Sequence, residues 1–494
     1  MKAVVAVPSV CDFYFTPSRA SAIGAEAVKR VLQDHDIDAR ILNFPTFAAP
    51  AAKLPVPPEL GHLQSFIIPK EGGPISGFST YRRFGPDAAE CARQLLAEKP
   101  DIIFISCFAW AYAAQCIELA TAIKTLSLET SVAAGGAGVT VNPDYFSSQK
   151  SIDYVLPGTA EEVLPSFLGT GRQPVDGGPA LKIPDFIAVE TGISTKKNVR
   201  FFSAMLTRGC PKACRFCANH LVHGRRFRKA PLDAVRKEIG LIPQDRNVSI
   251  NFEDDNLTFD FDYFLEVIKV IKERFPDAQF TAENGLDYNF LDGNKVRELI
   301  RLGFRAFNLS MASHSSSLLS NENRSADTGR LEAVIHKAAD SGIPVTAYFI
   351  CGLEGDSVES TLDNLLYLHS LPVLSGISMF YPVPGLPGFP PDFLSSRPPQ
   401  LCAGSSAYPW TNSLSTEQLL TAFRLSRLSN LLKTVDNLIP AASGRSTAGK
   451  KAAALVSRTI NTRKLHTLSA GDIIVVPRQD ANLVSGFLSA LSLD

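Results

Sequence analysis

A short apolar run, residues 201–206, passes directly into Thr-Arg-Gly-Cys-Pro-Lys-Ala-Cys-Arg-Phe-Cys-Ala at 207–218, and this join restricts the chain more than any other stretch. It sets Cys210, Cys214 and Cys217 in a Cys-x3-Cys-x2-Cys array on one loop behind a strand-like segment. Three thiolates on a compact loop can hold three irons of a 4Fe–4S cluster and leave the fourth iron open to a ligand. Two other readings use the same residues. A structural zinc knuckle would take its fourth ligand from His220 or His223. The thiols could also be ordinary buried groups, which pack as small hydrophobes.

The 494 residues exceed what one hydrophobic core serves, so two or three domains are expected. With 45% hydrophobic and 20% charged residues the chain is globular rather than disordered. Lys+Arg and Asp+Glu both number 49, which gives no electrostatic case for nucleic acid or an anionic membrane. The remaining cysteines, Cys11, Cys91, Cys107, Cys116, Cys351 and Cys402, are scattered rather than arranged as a disulfide framework, which suits a reducing compartment. The N-terminal apolar run is too short for a signal peptide, and no apolar stretch is long enough for a transmembrane segment. A soluble, cytoplasmic protein is expected.

Residues 1–170 alternate buried-strand runs (3–7, 38–42, 101–106, 130–134 and 153–156) with helical spacing at 20–32 and 113–126. This predicts a doubly wound parallel sheet. Such sheets bind ligands at the carboxyl ends of their strands, where Ser106, Gly135, Gly136 and Gly158 fall. Glycines there let the backbone approach a ligand, or simply make tight turns. Residues 50–81, rich in Pro and Gly, are expected as an insertion that covers a ligand or reaches the next domain. Residues 171–200 are expected as a linker.

From 201 to 388 the pattern of strand then helix recurs six times, with strands at 201–206, 248–252, 279–283, 305–309, 345–350 and 376–381. Six such units predict a partial (β/α)6 barrel, whose sites sit at the carboxyl ends of the strands. The cysteine loop lies at one of those ends. Residues 389–494 form a small, mainly helical accessory segment. It opens with a Pro-rich breaker, and residues 413–438 have helical spacing behind a cap at Ser415 or Thr416. The basic stretch 445–464 is expected as a solvated connection, and 472–476 could add a strand.

The array, with Phe216 just before its third cysteine, resembles the signature of the radical S-adenosylmethionine (SAM) enzymes. In that family the open iron chelates the amino and carboxylate groups of SAM, and an electron from the cluster splits the sulfonium to give a 5′-deoxyadenosyl radical. The first domain resembles the cobalamin-binding domain that precedes the barrel in one subclass. The matching pieces are Ser-Cys-Phe at 106–108, Gly-Gly-Ala-Gly-Val-Thr-Val-Asn-Pro-Asp at 135–144 and Gly-Thr-Ala-Glu-Glu at 158–162. The Asp-x-His-x-x-Gly motif that supplies a lower cobalt ligand in many cobalamin domains is absent, and His35 is expected on the surface.

The resemblance implies further contacts. Asp254 or Asp255 would accept from the SAM amino group; alternatively one of them caps the helix beginning near Phe261. Glu283 and Ser310, at the third and fourth strand ends, are ribose or carboxylate candidates, and the turn at Gly352 would meet adenine. Ala312 stands where the family commonly has a glutamate, so that carboxylate is missing. Arg225, Arg226 and Arg228 either steady an anion or form a solvated basic loop.

The cofactors implied are a 4Fe–4S cluster, SAM and cobalamin, and the implied activity is cobalamin-dependent methylation of an unactivated carbon. Alternatives are a radical rearrangement, cyclisation or oxidation without methyl transfer, or a non-catalytic metal- or corrin-binding protein. The expected partners are a small-molecule, natural-product or lipid substrate and an electron donor such as flavodoxin or ferredoxin.

Overall fold

The computed structural model describes residues 1–16, 21–45, 51–170, 186–325, 327–435 and 447–491. The first sheet is parallel, in the spatial order Asp38–Asn43, Lys2–Val7, Ile102–Ser106, Ser131–Gly135, Tyr154–Leu156. Successive strand residues point to opposite faces, and both faces are covered. Val4, Ala6, Ile103 and Ile105 pack with Leu95 and Leu119 on one side. Ala3, Val5, Val7 and Phe104 pack with Leu32 and Leu164 on the other. Helix Ala88–Ala97, capped by Asp87, was not expected from the sequence.

The second domain holds six parallel strands: Val199–Met205, Asn247–Phe252, Gln279–Thr281, Phe307–Ala312, Val345–Cys351 and Leu374–Met379. The third and fourth are joined through the isolated bridges Phe280–Phe304 and Leu286–Leu309, so two sheets form one open arc. Among the described residues the arc does not close. The expected linker needs correction. Residues 171–185 lie outside the described residues, but Ile187–Ser194 is a strand antiparallel to Val199–Met205 that extends the arc.

The insertion reaches the C-terminal segment, and its described residues are not on the lining of either cavity of the candidate active site described below. Its Glu71–Gly72 pair with Leu468 and Ser469 at the edge of the hairpin His466–Ser469, Asp472–Val475. Helix Thr416–Val435 begins with Ser415 accepting from Gln418 N while Gln418 Oε1 accepts from Ser415 N, a reciprocal cap. Where a solvated connection was expected, Thr447–Thr462 is a helix whose Leu455, Val456 and Thr459 are buried; Arg445 lies outside the described residues. Among the described residues no helix is long and apolar enough to cross a membrane.

Candidate active site between the two domains

The cysteine loop is held at its neck. Thr207 and Arg208 pair antiparallel with Lys229 and Arg228, so the chain leaves and returns through one short ribbon. Asp254 pins the entry to this neck. Its Oδ1 accepts from Leu206 N (3.0 Å), Thr207 N (2.6 Å) and Thr207 Oγ1 (2.6 Å). Burial pushes the Asp254 carboxyl up to about 7, against the pull of these donors. Asp255 Oδ2 accepts from Gly209 N at 3.1 Å. Neither aspartate caps the following helix. Asp260 does that, accepting from Tyr263 N.

Cys210, Cys214 and Cys217 line one cavity of about 620 Å³ at the carboxyl ends of the arc strands. Asn256 Nδ2 lies 3.5 Å from Cys210 Sγ, and Arg324 Nη1 lies 3.9 Å from Cys214 Sγ. Both atoms are donors facing sulfur. Burial pushes the Cys217 thiol up to about 11, so its deprotonation would accompany metal binding. Asp254 Oδ2, Asn256 Oδ1, Asn219 Nδ2 and Arg324 Nε are buried without a partner in the chain, on residues that line this cavity. Among the described residues no three ligating side chains are gathered tightly enough to hold a single metal ion, but three thiols lining one cavity, two of them facing donors, are a donor set that suits an iron–sulfur cluster, and the unpartnered polar atoms suit a polar co-ligand. His220 lines this cavity but shares its Nδ1 with Cys217 O (3.0 Å). His223 lines the neighbouring one.

Glu283 and Ser310 also line the cysteine cavity. Gly352 does not. Its N–H donates to Asp356 Oδ2 (2.8 Å) and its carbonyl accepts from Thr411 (2.9 Å), so the turn is closed by the protein itself. Lys212, Asp287 and Arg324 were not among the residues expected at the site. Lys212 and Arg324 both pair with Asp287 inside the cavity. Burial alone would raise the Asp287 carboxyl, but Arg324 and Lys212 hold it below the usual carboxylate range. The carboxylates Asp255, Glu283 and Asp287 outnumber Lys212 and Arg324, a balance that suits a cationic sulfonium.

The second cavity, about 380 Å³, opens at the carboxyl ends of the first sheet and includes Ser106, Gly135, Gly136 and Gly158. It runs between Val5, Val7 and Phe104 of the sheet and helices Ile23–Asp34 and Ala160–Thr170. Gly136 (φ +99°) needs its missing side chain, since a Cβ would lie 2.7 Å from Cys107 O. This apolar slot, opening on a glycine-rich rim, fits a ligand with a flat body and a long arm such as a corrin. His35 is exposed and hydrogen-bonded to Val31 O, away from the slot. Among the described residues the one imidazole on the lining is His223, from the second domain; burial lowers its pKa.

The domains are tied around this slot. Arg208 pairs with Glu161 (3.7 Å), Arg228 with Glu162 (3.4 Å), and Ser21 Oγ donates to Glu253 (3.1 Å). Arg228 is therefore a tie between domains, while Arg225 and Arg226 are exposed. Asp255 and Asn284 line both cavities.

Residues 205–368 match the family described as the radical SAM superfamily. These residues form a radical SAM domain. Bacteriochlorophyllide d C-12(1)-methyltransferase of Chlorobaculum tepidum is 28% identical over 215 residues, 42% of this chain and 46% of that protein. The chain thus matches about half the length of this radical SAM protein's curated relative. Among solved structures, TsrM from Kitasatospora setae, a radical SAM methyltransferase with cobalamin and a [4Fe-4S] cluster bound, has a TM-score of 0.55 at 14% identity. The match covers 80% of this chain and 77% of TsrM. OxsB, a cobalamin-dependent SAM radical enzyme, gives 0.50 at 12% identity, over 76% of this chain and 53% of its own. The parallel sheet followed by the arc is the architecture shared with both.

Proposed function

We propose that this radical SAM protein is a cobalamin-dependent methyltransferase acting on an unactivated carbon. The observation that carries this is the common wall of Asp255 and Asn284, which makes the cysteine cavity and the slot of the first domain neighbours. When bound, the cluster would supply the electron that cleaves SAM, and the corrin would supply the methyl group. Cys210, Cys214 and Cys217 would hold the cluster, and Asn256 and Arg324 would steady its sulfurs. Asp255 would accept from the SAM ammonium, and Glu283 and Ser310 would bind its ribose or carboxylate. Ser106, Gly135, Gly136 and Gly158 would border the corrin. Relatives named as methyltransferases support the same reading.

The test is anaerobic reconstitution with iron and sulfide, followed by incubation with SAM, hydroxocobalamin and a strong reductant. Retained corrin together with 5′-deoxyadenosine and S-adenosylhomocysteine is the expected result. Deoxyadenosine without retained corrin would remove the methyl transfer and leave another radical reaction.

A further inference from the structure

A third cavity shares no lining residue with the cysteine cavity or the slot. It holds about 350 Å³ where residues 76–80 of the insertion and strand Arg82–Phe84 meet helix Thr416–Val435. Its floor is aromatic: the Phe78 ring lies 5.0 Å from that of Phe423 and 5.7 Å from that of Phe13. Arg82 and Arg427 reach the lining, and among the described residues no acid does. Arg427 Nη1 donates to Ser76 O (2.7 Å), and its guanidinium lies 4.8 Å over the Phe423 ring. Among the described residues neither arginine is in an ion pair, and the Arg82 guanidinium donates to nothing in the chain. Two carboxylates of this region are committed elsewhere. Glu71 accepts from both Nη atoms of Arg424 and from Gly77 N (2.9 Å). Asp12, in register with Arg82, accepts from Ser405, Tyr112 (2.9 Å) and Phe13 N (2.6 Å). Partial burial and the nearby Arg424 push the Arg427 guanidinium below its ordinary pKa, a cost that an anion beside it relieves.

A guanidinium fork donates to two oxygens of a carboxylate or phosphate at once, and phenylalanine rings cover the apolar body that carries it. The volume stands at the small end of ligand sites, which run from ~300 to ~1,000 Å³. We propose that this cavity binds a small organic anion, a mono- or bicyclic aromatic bearing a carboxylate or phosphate. Arg82 and Arg427 hold the oxyanion. The hydroxyls of Ser79 and Thr80, which among the described residues donate to nothing in the chain, add neutral donors. Phe78 and Phe423 pack on the ring body. An occupant bridges the insertion and the C-terminal helix beside the Glu71–Arg424 pair. The site stands apart from the radical SAM reading and does not depend on it.

The test titrates the reconstituted full chain calorimetrically with 1-naphthoate, 1-naphthyl phosphate, neutral 1-naphthol and inorganic phosphate. Wild type should bind one of the naphthyl anions at a single site, about tenfold more tightly than naphthol or inorganic phosphate, the scale of one charge-assisted hydrogen bond. The tighter of the two anions identifies the oxyanion. Arg82→Gln should remove most of the preference over naphthol, and Arg82→Gln with Arg427→Gln should abolish it. Phe423→Leu should keep that preference and narrow the one over inorganic phosphate. Arg82 makes no bond whose loss would unfold the chain, and the melting temperature of each variant verifies that it is folded. Wild type that binds the anions no better than naphthol, or a preference that survives the double variant, overturns the proposal.

Discussion

Glu71 and Arg424, 353 residues apart, form a two-pronged ion pair buried on both sides, joining the insertion of the first domain to helix Thr416–Val435 of the C-terminal segment. Arg424 Nη1 also donates to Ile75 O (3.1 Å), and Glu71 Oε1 accepts from Gly77 N (2.9 Å). The insertion is therefore fastened to the C-terminal segment.

Arg424→Leu strands a buried carboxylate, and the expected loss is about 3–5 kcal/mol. Denaturant unfolding of Arg424→Leu, Glu71→Leu and the double variant measures this. The double variant should lose less than the sum of the two single losses. Additive losses would show that the pair does not act as a unit.

Asp254 makes a pH prediction. Its folded value, about 7, lies above its ordinary 3.8, so the native state keeps a proton that the unfolded chain releases. This contribution is fully present below about pH 4 and is lost as pH rises towards 7, with a slope of up to about 1.4 kcal/mol per unit. Asp254→Asn keeps an acceptor oxygen but does not ionise. Its stability relative to wild type should rise across that window and level off above it, as followed by unfolding midpoints at several pH values. A difference independent of pH would contradict the assignment.

Gly209, just before Cys210, has φ +80°, and a Cβ there would lie 2.4 Å from Arg226 O across the neck. Gly224 has a similar φ of +72° with open space around it. Gly209→Ala should lose most of its iron after reconstitution, while Gly224→Ala, which bears only the backbone strain of about 1–2 kcal/mol, should retain more. Iron and sulfide per chain decide the comparison.

Lys433 is fully buried, and its ammonium donates to the carbonyls of Leu368, Leu371 (3.1 Å) and Val373 (2.7 Å) after helix Val358–Ser370. Lys433→Met fills similar space but leaves these acceptors bare. A loss of about 3 kcal/mol is expected from the desolvation cost of unmade hydrogen bonds, measured as a fall in the unfolding midpoint.

What the sequence disclosed follows from how far apart the cooperating residues stand. The strand-and-helix alternation was legible because burial on both faces makes each central strand continuously apolar, as at Ala3–Val7 and Ile102–Ile105. The cysteine loop was legible because its spacing is local. Strand Ile187–Ser194 escaped notice because, as an edge strand with much of its length exposed, it carries little hydrophobic signal. Helix Thr447–Thr462 was misread because Lys450, Lys451 and Arg458 dominate its composition, whereas Leu455, Val456 and Thr459 supply its buried side. Arg324 and Asp287 could not be found from local pattern, since only the curvature of the arc brings them to the cavity of the thiols.

The hairpin that completes the insertion's small sheet has a consequence for synthesis. Ser469 donates to Pro69 O across 400 residues of chain. At ribosomal rates of roughly 5–20 residues per second, the edge at Glu71–Gly72 waits roughly 20–80 s for its partner to emerge. During that interval the buried partners of Leu60, Leu63 and Ile75 in the C-terminal segment do not yet exist. The nascent first domain therefore carries an exposed apolar flap, which makes it a natural client for chaperones that bind such surfaces until the last hundred residues arrive.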